Sequence, residues 1–108
     1  MVLVCNYFLK NTKIMAIALF PFIFLKSKDL KQNTCLINHE KIHLRQQLEL
    51  LVIFFYIAYL IEYLIRVLQY KNTYQAYRAI SFEREAYDNE KNLDFLKSRK
   101  IWNFISYF

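Results

Sequence analysis

The chain has 108 residues, 56% of them apolar and 19% aromatic, with 15 Lys and Arg against 9 Asp and Glu, a single Pro and no Gly. An average chain of this length carries roughly seven or eight glycines, so motifs that need a backbone at positive φ or close approach to a phosphate are not expected. That removes the Walker-type phosphate loop, the Gly-rich dinucleotide turn, the EF-hand loop and the serine-hydrolase nucleophile elbow.

The length allows a single domain over 1–108 with a modest core. Lys, Asn, Ile, Phe and Tyr are the residues that AT-rich coding enriches, so the net charge of +6 says little about nucleic acid. The lysines are scattered (Lys10, Lys13, Lys26, Lys28, Lys31) and thicken only at Lys97, Arg99 and Lys100, with no Arg-rich stripe. No nucleic-acid partner is expected from this pattern, whereas anionic lipid headgroups suit it. Cys5 and Cys35 make no disulfide framework, which implies a reduced, cytoplasmic-side setting.

In chain order, the first element is Ile14 to Leu25, apolar and rich in β-branched and aromatic residues. Lys26 to Asp29 follow it in place of a small-residue cleavage site, so it is not read as a secretory signal. Pro21 cannot donate to a ladder, and the stretch is expected to form an edge strand or two short strands bent at Pro21. Its twelve residues fall short of the roughly twenty that span a membrane. Ser27 to Asn33 is polar and reads as a loop.

Thr34 to Gln69 runs without Pro or Gly, with Asn33 or Thr34 as N-cap, and predicts one long helix or two in series. Its middle, Leu50 to Ile61, is apolar without interruption. A helix apolar on all sides is buried in protein or faces lipid, and this chain offers little protein to surround it. Extended through Glu62, with Arg66 four residues on to neutralise it, residues 50–68 read as an apolar helix seated in or across a membrane. The expected location is therefore membrane-associated, with a soluble cytoplasmic chain as the alternative. Lys71 to Thr73 is a polar break. Tyr74 to Lys97 predicts a third amphipathic helix with a breakpoint near Ser81. The aromatic tail Ile101 to Phe108, beside Arg99 and Lys100, suits a bilayer interface and docking onto the fold equally. The fold expected is α+β and mainly helical: a short N-terminal β-strand pair, a long helix running into an apolar one, and a third helix.

The chain's only two histidines, His39 and His43, lie in NHEKIHLRQQLELL. Residues four apart share one face of a helix, so both imidazoles can reach one metal ion. Glu40 is rotated about 100° from His39 but only about 60° from His43. It borders the metal face, where a general base takes a proton from water held by the ion. An HExxH arises by chance in roughly one chain in several hundred of this length, so the motif needs its context. Cys35 lies one turn before His39, and Gln46 or Gln47 one turn after His43. A third ligand must come from another element, and AYRAISFEREAYDNEKN offers Glu83, Glu85, Asp88 and Glu90. Glu83 and Glu85 are about 200° apart on a helix and cannot both face the ion; spacing alone ranks them equally. Their competing assignment is a solvated acidic face pairing with Arg78, Arg84 and Lys91. Tyr74, Tyr77 and Arg78 are candidates to stabilise an oxyanion.

These two segments together resemble the gluzincin zinc metallopeptidases, in which HExxH gives two ligands and a glutamate on a later helix gives the third. In the membrane-linked branch that glutamate stands in Glu-x-x-Ala-Asp; Glu83, Arg84, Glu85 and Ala86 fit its first four positions. Tyr87 stands where the pattern has the Asp that orients a ligand histidine, leaving Asp88 or Glu90 as substitutes. The chain also resembles small uncharacterised HExxH proteins with a Phe-Glu-Arg-Glu-Ala-Tyr segment. The resemblance implies Zn²⁺ held by His39, His43 and Glu83 (alternative Glu85), Glu40 as catalytic base, and a peptide or protein substrate. The alternative is a non-catalytic small membrane protein or a metal-binding pseudo-enzyme, because 108 residues leave little material for a substrate cleft.

Overall fold

The structure, a computed structural model, describes residues 2–10 and 12–108 and, among these, every side chain but that of Phe8. It is α+β and mainly helical, as the sequence predicts. Strands β1 (Val2–Val4), β2 (Ala16–Leu19) and β3 (Phe22–Leu25) form one sheet in the order β1-β3-β2. The expected pair is β2 and β3, antiparallel with Ala18 opposite Ile23, joined through a cis Phe20–Pro21 peptide. β1 adds parallel to β3 with Leu3 opposite Phe24, a third strand absent from the sequence reading, and the short helix α1 (Asn6–Leu9) follows it. Along β3, Ile23 and Leu25 are buried while Phe22 and Phe24 are half-buried, the period-two pattern of a strand with one covered face.

The cover is α2 (Thr34–Glu49). Its Leu36 and Leu44 pack on Ile23, Leu25 and Leu30, the last contributed by a 3₁₀ turn at Lys28–Gln32 inside the expected loop. Asn33 caps α2 as expected, its side chain accepting from the Leu36 amide at 3.0 Å. Otherwise α2 buries an unusual set: Asn38, His39, Glu40, His43, Gln46 and Gln47, with Ile42 the one apolar member. Such residues are rarely buried unless each has a partner, so the polar inner face of α2 marks a site.

Of the two readings of residues 34–69, two helices in series is the one observed. α3 (Ile53–Tyr70) begins after Leu51 and Val52, both at positive φ. Lys71 and Trp102 are there too, so the missing glycine does not keep this chain out of left-handed backbone; it forces side-chain-bearing residues into it. Val52, at φ 63° and ψ −62°, spans a γ-turn closed by the Ile53 amide on the Leu51 carbonyl at 2.6 Å. A β-branched residue in that geometry stores roughly 1–3 kcal/mol. Val52→Gly is therefore expected to stabilise the fold by about 1 kcal/mol after the entropy cost of glycine, raising the thermal midpoint by about 4–8 °C. An unchanged or lowered midpoint would contradict a strained junction.

The expected third helix is three pieces, α4 (Thr73–Ala79), α5 (Ser81–Asn89) and α6 (Phe95–Ser98), with Ile80 in extended backbone before Ser81. The break is fixed from α3. The buried Glu62 carboxylate accepts from the Ser81 amide at 2.7 Å and its hydroxyl at 2.6 Å, taking up a donor that the first turn of α5 leaves open. Arg66 sits 3.3 Å from Glu62, the i+4 pairing predicted. The tail docks rather than hanging free: Phe104, in a 3₁₀ turn at Asn103–Tyr107, joins Phe55, Ile80 and Phe82 in a second core cluster. With both ends of α5 tied down, two residues of its first turns are aimed at opposite sides.

Candidate metal centre

Glu83 comes off α5 toward α2 and meets the two histidines. Its Oε1 lies 3.2 Å from His39 Nε2 and 3.0 Å from His43 Nε2, and the two nitrogens are 3.1 Å apart. All three residues are buried. The hydrogen bonds behind them decide what these atoms present. His39 Nδ1 donates to Glu90 Oε1 at 2.9 Å and His43 Nδ1 to Gln46 Oε1 at 2.8 Å. Gln46 cannot turn over, because its Nε2 is committed to the Phe82 carbonyl and to Glu85 Oε1. With the Nδ1 protons so committed, neutral rings turn the Nε2 lone pair inward. Three lone-pair donors then converge on one point, which a proton or another cation must hold together. Tetrahedral bonds of about 2.0–2.1 Å separate ligand atoms by about 3.3 Å, close to the observed triangle. His39, His43 and Glu83 thus form a buried group that could hold a metal ion.

In the metal-free chain a proton fills that role. Burial opposes a charge on His43, but the Glu83 carboxylate beside it outweighs burial and raises its pKa to about 9. Burial likewise opposes ionisation of Glu83, yet His43, with hydrogen bonds from His39, His43 and Tyr59, holds that carboxyl well below the usual range. Glu83 is an anion at neutral pH, and a positive charge belongs beside it. Its second oxygen accepts from the Tyr59 hydroxyl at 2.7 Å, which leaves one oxygen for the triangle.

Glu40 is buried but stands outside the triangle. Burial pushes its carboxyl up, while His43, His39 and a hydrogen bond from the Ala18 amide of β2 pull it down. It lines a cavity of about 770 Å³ together with the three triangle residues, residues 13–19 at the β2 edge, and Tyr56 and Tyr59 of α3. Gln47 keeps that edge in place, its Nε2 donating to the Ala18 carbonyl at 2.7 Å and its Oε1 accepting from the Phe20 amide at 2.8 Å.

Of the two candidate glutamates, α5 sends Glu85 the other way. It is fully buried against Arg99 at 2.6 Å and Asn103 at 2.8 Å, so it is neither a ligand nor part of a solvated acidic face. Tyr74 and Tyr77 line the cavity; Arg78 does not, being drawn over the Tyr87 ring at 3.7 Å. Cys35 and Cys5 are both free thiols, and Cys35 Sγ donates to Glu90 Oε2 at 2.9 Å, one residue removed from the triangle. Of the proposed substitutes for the missing Asp, Asp88 is exposed and Glu90 does the orienting. Asn38 clamps the backbone there, donating to the Glu90 carbonyl at 2.8 Å. Spacing found neither Tyr59 nor the Tyr87 ring packed edge-on to His39 at 4.5 Å; nothing marks one tyrosine of an apolar run as a partner of a residue 24 positions on.

Outer partners of ligand histidines typically contribute 10–100-fold to metal affinity. Glu90→Ala is expected to weaken metal binding by about that factor in a competitive chelator titration, and Asp88→Ala to leave it unchanged. Equal effects of the two would remove Glu90 from this role.

No family model, curated protein or solved structure matches the chain.

Proposed function

We propose that the protein is a zinc-dependent peptidase of the gluzincin type. The observation that carries the reading is the buried His39, His43 and Glu83 triangle sharing one cavity with a carboxylate, Glu40, that is not needed as a ligand. Two imidazoles and one carboxylate oxygen, with a further position open, are the donor set of catalytic zinc. Zinc held there supplies Lewis acidity, polarising a carbonyl and acidifying water.

The remaining work falls to the chain. β2 is the outer strand of the sheet beside the cavity; Gln47 takes up its Ala18 carbonyl and the Phe20 amide, so an extended peptide would pair with the edge ahead of Ala18 and lay a carbonyl toward the triangle. Glu40 takes the proton as the water oxygen bonds to the carbonyl carbon. It passes that proton to the amide nitrogen as the carbon–nitrogen bond breaks, giving a carboxylic acid and an amine. Tyr74 and Tyr77 line the cavity and would supply hydroxyl donors to the oxyanion. A second reading, a metal-binding protein without turnover, draws on Glu40 as well, because the Ala18 amide already engages its carboxylate.

The test is elemental analysis of the purified chain beside hydrolysis of a quenched-fluorescence peptide library. One equivalent of zinc, lost in His39→Ala, together with chelator-sensitive cleavage is expected. Zinc without cleavage selects the second reading, and no metal in the parent protein overturns both.

A further inference from the structure

The apolar helix α3 is turned outward. Of its eighteen residues only Phe55 and Glu62 are buried. Ile53, Ile57, Leu60, Ile61, Leu64 and Leu68, between 50% and 77% exposed, fall within an arc of roughly 100° on the helix. Its two charges, Glu62 and Arg66, lie on the opposite side and pair there. The tail lies against the other side of α3, where Phe104 packs in one cluster with Phe55. The Trp102 amide donates to Glu49 just before α3, and the Phe108 ring lies under the Arg66 guanidinium at 5.3 Å. Ile101, Ile105 and Phe108 of that segment are also more than half exposed. The contiguous apolar stripe on α3 marks an interaction face.

We infer that this face seats the protein on the surface of an anionic lipid bilayer, with α3 lying in the interfacial plane. Exposed lysines stand by both ends of α3, Lys71 at its close and Lys100 two residues before the Trp102 that meets Glu49, and the chain carries a net charge of +6. This arrangement of basic ends on an apolar stripe suits an anionic headgroup layer. It disfavours a second copy, because parallel and antiparallel pairing both set lysine against lysine. A span is disfavoured by what surrounds α3: α4 and α5 carry exposed Arg78 and Asp88, which a span would draw into hydrocarbon. Lying flat, the stripe sinks about 5–10 Å. Tyr56, which lines the site cavity, is about 90° round the helix from the middle of the stripe, so the cavity lies on the flank of the seated face. The seat does not depend on the metal site being active.

Flotation of the full chain with phosphatidylcholine vesicles containing 30% phosphatidylglycerol tests this, with pure phosphatidylcholine as the comparison. Binding to the anionic vesicles is expected, with a blue shift of the single tryptophan. Leu60→Lys combined with Leu64→Lys, both at exposed positions, is expected to weaken binding at least about tenfold without changing metal content. Depth is read from Leu64→Trp in a Trp102→Phe background, where lipids brominated near the headgroup should quench best. Strongest quenching by deep bromines means a span and overturns the inference. So does failure to float, or a lipid-free dimer that the double lysine variant dissociates.

Discussion

Glu40→Gln is expected to lower peptide hydrolysis by roughly 10²- to 10⁴-fold, the range a positioned general base contributes, and to leave metal content unchanged. The amide is nearly isosteric and keeps an oxygen to face the Ala18 amide, which lowers the pKa of the Glu40 carboxyl. The hydrogen bonds that orient the triangle come from elsewhere: its donors are held by Glu90, Gln46 and Tyr59. Loss of catalysis with the metal retained therefore isolates proton transfer. Retained activity would move the base elsewhere, and loss of the metal would make Glu40 a ligand. Metal analysis and initial rates on the same preparation read both quantities.

The site was half legible because half of it is periodic. His39, Glu40 and His43 sit on one helix, where spacing fixes angle, and the Asn33 cap fixes where that helix starts. Glu83 and Glu85 were legible as a pair but not as a choice. Which one turns inward depends on Glu62 capping Ser81 and on Arg99 drawing Glu85 outward, contacts across 19 and 14 positions. Tyr59 was illegible for the same reason. In the fold, the β2–β3 pair was announced by its β-branched and aromatic run around Pro21, whereas β1 is three residues long and exists through its parallel pairing with β3. The junction at Leu51 and Val52 escaped notice because left-handed positions are normally flagged by glycine or asparagine. The absence of glycine thus argues against phosphate loops while concealing turns.

Arg99 and Glu83 carry opposite expectations, and together they separate architecture from chemistry. In the sequence Arg99 belongs to a basic stretch before the tail, but in the fold its side chain is fully buried, with Glu85 at 2.6 Å and Glu49 at 2.5 Å. Arg99→Ala strands two carboxylates, one of them fully buried, and breaking such a pair costs about 3–5 kcal/mol, a large share of the roughly 5–15 kcal/mol that holds a domain together. The loss should appear as a lower urea midpoint with metal absent and present alike. Glu85 also holds Gln46, and Gln46 orients His43, so metal affinity should fall as a secondary effect. Glu83→Gln should do the reverse. It removes the anion of the triangle, keeps an amide that can still meet Tyr59, and lowers metal affinity beyond the about 10–100-fold of an outer partner, while the metal-free midpoint moves far less than in Arg99→Ala. Stoichiometric metal in Glu83→Gln, with its loss in Glu85→Gln at an unchanged midpoint, would reverse the assignment of the two glutamates. The cation would then have to be sought on the other side of α5.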